Sequence, residues 1–209
     1  MNNILFVHAS PHGKYALGYR LAEKILAEEM LINSRVSLIE RDLLTAPLSP
    51  LTHRYASALV SYNIGDSPNA DLTESEQMIS ELEQSDRLLI AMPMHNFSVP
   101  AALKLWIDHV VRINRTFIAS VEGKQGLLQD RPTTILVSAG GILQGGNPQP
   151  DFLTPYLTLI LNTIGIQDIR FVYLQGLAFG EPAITQAWHQ AQAAKHGIRR
   201  RPRWSRLAY

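Results

Sequence analysis

The sequence predicts one α/β domain built on a doubly wound, five-stranded parallel sheet. Short apolar runs rich in β-branched residues alternate along the chain with segments of helical periodicity, which is the pattern of strands linked by crossover helices. The length of 209 residues suits a single core. Apolar residues make up 46% and charged residues 18%, so the chain reads as a packed globule and not as a disordered segment.

The elements follow in order. Residues 4–7 form a short buried strand. Residues 16–31 repeat apolar positions at Leu17, Leu21, Ile25 and Leu26, which is helical spacing. Residues 36–39 form the second strand. Residues 43–72 hold Pro47, Pro50 and Pro68 and few strand formers, so they read as a long excursion over the surface. Thr73 and Glu76 form a capping box ahead of Met78, Ile79 and Leu82. Residues 88–92 are the third strand, stopped by Pro93, and a long helix runs from about 100 to 114. Residues 133–137 are the fourth strand. The segment 139–150, with four glycines and two prolines, reads as a loop. Residues 151–164 form a helix closed by Gly165, residues 169–174 the fifth strand, and residues 182–195 the last helix. No linker or repeat divides residues 1–195, and residues 196–209 form a basic tail.

Composition excludes several chemistries. There is no cysteine, so disulfides, thiol catalysis and iron–sulfur clusters are out; this permits a reducing compartment without requiring one, and the cytoplasm is the expected location. The first ten residues have no basic region and only a four-residue apolar run, unlike a signal peptide. No stretch approaches 18 apolar residues, so no membrane span is expected. Residues 1–194 carry 13 basic and 18 acidic groups, and six basic residues follow. That tail could meet an anionic partner such as RNA or a membrane surface, but Gly197 and Pro202 favour a solvated end, and neither nucleic acid nor a membrane is the expected partner. The chain has no phosphate loop of the G-x-x-x-x-G-K-[ST] type, no G-x-G-x-x-G and no G-x-S-x-G elbow. His8 and His12 sit at a strand-to-loop junction that does not suit a metal, and His109 reads as a packing residue.

In a doubly wound sheet, ligands bind at the carboxyl ends of the strands, near the switch in strand order. Three loops of unusual composition converge there: residues 9–18, 93–97 and 138–147. Pro93 ends a strand, and Met94, His95, Asn96 and Phe97 could lie against a flat heteroaromatic ring. Gly140 and Gly141 let backbone approach a ligand closely, and Ser138 could donate to it. This convergence predicts a site without naming its ligand.

The segments PMHNFSVPAALKLWIDHVVRINRTF, SAGGI and DFLTPYLTLILNTIGIQDIRFVYLQGLAFG resemble the P-M-Y-N-F, S-R-G-G-I and D-L-x-T-P-Y-L motifs of the FMN-dependent NADH:azoreductases, also described as NADH:quinone reductases. The resemblance covers residues 3–195. It implies a flavodoxin-like fold and a homodimer with FMN sites at the subunit interface. It also implies ping-pong electron transfer from NADH to a quinone, azo or nitro compound. By the same resemblance, Pro93, Met94, His95, Asn96 and Phe97 hold the isoalloxazine, and Ser138, Gly140 and Gly141 meet its pyrimidine side. Ser10 and the segment Ala16, Leu17, Gly18 meet the phosphate. No side chain is assigned as catalytic, because the chemistry belongs to the flavin.

The chain departs from the family pattern at several places. Ala16-Leu17-Gly18 stands where the family has S-x-S, and Ala9 stands for another serine. His95 replaces the loop tyrosine, Ala139 the arginine of S-R-G-G, and Leu143 a polar residue after G-G-I, while Thr163 stands for a site aromatic. His12, Lys14 and Arg20 are the cations close enough in sequence to compensate at the phosphate. A second reading is therefore a paralog with weakened or lost flavin binding that acts as a non-enzymatic binding protein.

Overall fold

The structure, a computed structural model, describes residues 2–61 and 69–195. Five parallel strands form one sheet: β1 (Asn2–His8), β2 (Val36–Asp42), β3 (Arg87–Pro93), β6 (Thr133–Ser138) and β7 (Ile169–Leu174). Their spatial order is β2-β1-β3-β6-β7, all pairs parallel. The central strands are apolar on both faces because helices cover both. The side-chain period of two divides them. Leu5, Val7, Leu88, Ile90, Met92, Ile135 and Val137 point to one core, and Ile4, Phe6, Leu89, Ala91 and Leu136 to the other.

Helices α1 (Leu17–Ile32) and α6 (Glu181–Lys195) cover the second face, and α3 (Thr73–Gln84), α4 (Ala101–Val110) and α5 (Leu153–Thr163) the first. Each buries an apolar stripe at helical spacing, as Leu21, Ala22, Ile25 and Leu26 do on α1. The strand and helix segments of the expected fold are all present, with ends within a few residues of expectation.

Three expectations are corrected. The excursion 43–72 is not a bare surface path. Helix α2 (His53–Ser61) lies within it, and Tyr55, Ala58 and Leu72 form a small core of their own. The Tyr55 ring meets the edge of His109 at 5.4 Å, and Ser49 O lies 3.0 Å from His109 Nε2, so His109 packs this segment down. The capping box is absent as well. Leu72 is the N-cap residue of α3, and no side chain caps it. Glu76 instead pairs with Arg112 at 2.8 Å and Arg115 at 2.9 Å, beyond the end of α4. Two cations, one of them fully buried, outcompete a single backbone N–H for that carboxylate. Finally, the long helix stops at Val110, and a hairpin, β4 (Phe117–Ser120) with β5 (Gly123–Gly126), follows. Asn114, at a φ of 61°, turns the chain into it.

Candidate functional site

A cavity of about 390 Å³ opens at the carboxyl ends of β1, β3 and β6, beside the start of α1. Ser10, Ala16, Leu17, Gly18, Pro93, Met94, His95, Ser138 and Gly140 line it, so the three loops converge as the sequence predicts.

The α1 end is built from main chain. Ser10 is buried, and its Oγ accepts the N–H of His12 at 3.3 Å. Gly13, with a φ of 51°, starts a single 3-10 turn that delivers the chain to α1. Ala16 is the N-cap residue in extended conformation and offers no side-chain cap. The first N–H groups of α1 therefore face outward without an intrahelical acceptor, and the helix end carries partial positive charge. Such an end suits an anion. Of His12, Lys14 and Arg20, only His12 lines the cavity. Arg20 is drawn away over the Trp188 ring, 5.5 Å from its centroid.

Gly18 is the second residue of α1, and its bare backbone lets β6 come close. A Cβ there would lie 3.2 Å from Ser138 Oγ. Met94 N donates to Ser138 O at 2.8 Å, which extends the β3–β6 pairing one residue past Pro93. His95 and Ser98 exchange backbone hydrogen bonds at 3.0 Å, closing a tight loop at the rim. Inside it, Asn96 and Phe97 adopt left-handed φ values of 49° and 66°. Their N–H groups are committed to no acceptor among the described residues. Such strain at a cavity mouth is characteristic of ligand-holding loops.

Three expected site residues lie off the cavity wall. Asn96 and Phe97 are exposed on the rim, the latter at 45%. Gly141 is turned away, because the Gln149 side chain occupies the space its Cβ would need. Gln149 is held there by Ile142 O, which accepts its N–H at 2.8 Å, and its Nε2 approaches Met94 Sδ at 3.1 Å. Gln175 fixes the rest of this loop by accepting the N–H groups of Leu143 at 2.8 Å and Gln144 at 2.9 Å.

The cavity also includes His8, which the sequence did not place there, and three residues that no motif singled out. His8, Tyr15, Tyr19 and Leu177 line it. His8 continues the alternation of Ile4 and Phe6 along β1, and that periodicity was the signal that could have placed it beneath α1. Tyr19 OH donates to Glu40 at 3.1 Å; burial first, and then this hydrogen bond, push its pKa up to about 12. Asp42 goes the other way. Burial alone would raise it, but hydrogen bonds from Leu44 and Thr45 hold it below the ordinary carboxylate value.

A five-stranded parallel sheet in this order, with its cavity at the switch point, defines a flavodoxin-like α/β protein. The family described as Flavodoxin-like fold matches residues 2–197, and the chain belongs to it. Within it the chain belongs to the FMN-dependent NADH:quinone oxidoreductases. It is 51% identical over 195 residues to FMN-dependent NADH:quinone oxidoreductase 4 of Pseudomonas fluorescens, covering 93% of this chain and 94% of that one. It is 50% identical over 185 residues to FMN-dependent NADH:quinone oxidoreductase 5 of Burkholderia lata, covering 88% and 90%. The fold is shared with the azoreductase from Bacillus anthracis str. Sterne, at a TM-score of 0.80 and 21% identity over 94% of this chain and 100% of that one. The FMN-dependent NADH-azoreductase from Bacillus anthracis str. Ames Ancestor, solved in complex with FMN, gives a TM-score of 0.78 at 22% identity, covering 95% and 99%.

Proposed function

We propose that this chain is an FMN-dependent oxidoreductase that takes reducing equivalents from NADH and passes them to quinones or azo compounds. The observation that carries the reading is the cavity at the switch point, in a chain half identical to proteins named for that activity. The residues fit the cofactor. An uncapped helix start suits the phosphate, and the uncommitted N–H groups of the strained residues Asn96 and Phe97 suit the polar edges of a flat ring. When bound, FMN supplies the hydride-accepting and electron-donating chemistry. The chain's own residues bind and orient it. Ser10, Ala16, Leu17 and Gly18 lie at the phosphate end, Pro93 to Phe97 lie against the ring, and Ser138 and Gly140 lie beside its pyrimidine. Gly141 supports that loop from behind. The non-enzymatic reading rests on the departures from the family pattern at the site, chiefly the missing hydroxyls of Ala16 and Gly18, and the relatives at about half identity favour the enzyme.

Purified protein is expected to be yellow, to oxidise NADH with a quinone, and to give parallel double-reciprocal lines. Colourless protein that stays inactive with added FMN would defeat the reading. Asn96→Gly keeps the left-handed backbone and removes only the side chain. It should weaken flavin binding or slow flavin reduction, and unchanged values for both would show that the ring is not held at this loop.

We also propose that the working form is a homodimer in the cytoplasm. The apolar residues of α4 give no support for a dimer. Leu103, Trp106, Ile107 and Val110 are fully used in the chain's own core. The support lies elsewhere. Phe97 at 45% exposure, Phe152 at 64% and Leu159 at 65% leave apolar surface beside the cavity and along α5, and Phe152 N donates to Phe97 O. Light scattering at micromolar concentration should return twice the chain mass, and a monomer would overturn this. No helix among the described residues is long and apolar enough to cross a membrane. The basic tail 196–209 lies outside the described residues.

A further inference from the structure

Strands β3 and β6 run side by side to Pro93 and Ser138, and Met94 N donates to Ser138 O one residue further. Beyond that point the two loops part. The loop after β6 is held from the β7 side, where the carbonyls of Ala139, Gly140 and Gly141 accept the N–H groups of Leu177, Ala178 and Gly176. The loop after β3 closes on itself through His95 and Ser98. Two contacts from residues 149–152 rejoin the loops. Phe152 N donates to Phe97 O at 3.0 Å, and Gln149 Nε2 donates to Met94 Sδ at 3.1 Å. Asp151 fixes this short segment to the start of α5 by accepting the N–H groups of Leu153 and Thr154, both at 2.9 Å.

The Gln149 side chain is seated between the loops. Its Oε1 lies in the space that a Cβ on Gly141 would take, and its Nε2 faces Met94. The chemistry agrees with this orientation of the amide, because a thioether accepts a hydrogen bond and cannot give one. Gly141 lies outside the left-handed region, so its backbone does not require glycine. Room for Gln149 does require it, since the three atoms nearest to a Cβ there all belong to that side chain. Gly140 contrasts, because a Cβ on it would meet Ala178 Cβ at an ordinary 3.5 Å. The obstacle at Gly141 is the free end of a flexible side chain. An added methyl would therefore swing the amide off Met94 and leave the fold intact.

We propose that Gln149 is a positioning residue of the flavin site. Seated against Gly141, its amide holds the thioether of Met94, which lines the cavity, and so sets the separation of the two loops that receive the ring. The inference rests on the reading of the chain as an FMN protein. The test is a double-mutant cycle read by titration of FMN and lumiflavin, which share the ring and differ in the polyol phosphate. Gln149→Ala removes the amide, and Gly141→Ala dislodges it. Each should weaken both flavins by the same factor, about fivefold, the effect of one modest hydrogen bond. The double variant should lose no more than either single one, because truncating Gln149 removes the atoms that the new methyl would strike. Melting temperatures without flavin should stay at the native value.

Losses that multiply in the double variant would mean that the methyl meets the ring or the loop directly. A loss for FMN alone would place the effect at the phosphate, and no loss in Gln149→Ala would mean that the loops keep their places without it. A lowered melting temperature in Gln149→Ala would mean that the side chain serves the fold and not the site. Each of these overturns the proposal. Should Gly141→Ala fail to fold, Met94→Leu takes its place in the cycle with the same expectations, since it conserves volume and lacks the acceptor. A native chain that binds neither flavin would instead defeat the FMN reading itself, a result distinct from tight native binding that ignores Gln149.

Discussion

Gly126→Ala should destabilise the fold by about 3 kcal/mol, at the upper end of the cost of overpacking a tight contact. A Cβ at this position in β5 would overlap main-chain atoms of Ile164 and Gly165, where α5 ends. Gly165 is itself constrained. Its φ of 105° is a conformation that side chains rarely adopt, and a Cβ on it would overlap the carbonyl oxygen of Leu128. Leu128 N donates to Ile164 O at 3.0 Å, so the strand exit and the helix exit are stitched through main chain. Flexible side chains can swing away from an intruding methyl, but here every obstacle is backbone. For a chain of this size the loss corresponds to a melting temperature lower by roughly 6–12 °C, read by calorimetry. The contact is remote from the cavity wall, so FMN affinity below the transition should not change. An unaltered melting temperature would show that the two glycines do not meet.

That pair also shows why part of the fold was not legible in the sequence. The parallel strands were legible because burial on both faces leaves unbroken apolar runs such as Leu88 to Met92. The hairpin strands, FIAS and GKQG, have no such run. They are held by a backbone contact with α5 about forty residues later in the chain, and no local pattern encodes it. Helix α2 is similar, since Tyr55 packs on Leu72 at the far end of the excursion and on His109 of α4. The false capping box fails for the converse reason. Its two residues are correctly spaced, but Glu76 is claimed by arginines far along the chain.

The candidate site divides the same way. Convergence of the three loops follows from strand order, and strand order follows from the alternation of strands and helices. Which glycine of the 140–141 pair faces the cavity does not, because Gln149 decides it by filling the space beside Gly141. His8 was dismissed as half of a metal pair, when its place in the β1 alternation set it under the first turn of α1.

The phosphate end carries the second large effect. Ala16→Ser should tighten FMN about tenfold or more, since a hydrogen bond to a charged group contributes about 1.5–3 kcal/mol and each 1.4 kcal/mol is a factor of ten. Ala16 is the N-cap residue of α1, so a serine hydroxyl there would stand beside the free N–H groups proposed to hold the anion. The companion position behaves differently. Two serines would restore the family pattern, but a Cβ at Gly18 lies 3.2 Å from Ser138 Oγ and must displace it. Adding Gly18→Ser to Ala16→Ser should therefore gain little, and it should cost affinity if Ser138 is a ligand of the flavin. Serine at an N-cap also stabilises a helix by about 1 kcal/mol through its own backbone, so a control is needed. Riboflavin supplies it, because it lacks the phosphate. Ala16→Ser should tighten FMN and leave riboflavin unchanged, as measured by titration calorimetry. Equal gains for both would mean that the hydroxyl merely caps α1. No gain for either, with tight native FMN binding, would mean that the main-chain N–H groups and His12 already satisfy the phosphate. In that case the serines lost from this chain were dispensable, and Gly18 is kept for its fit against Ser138.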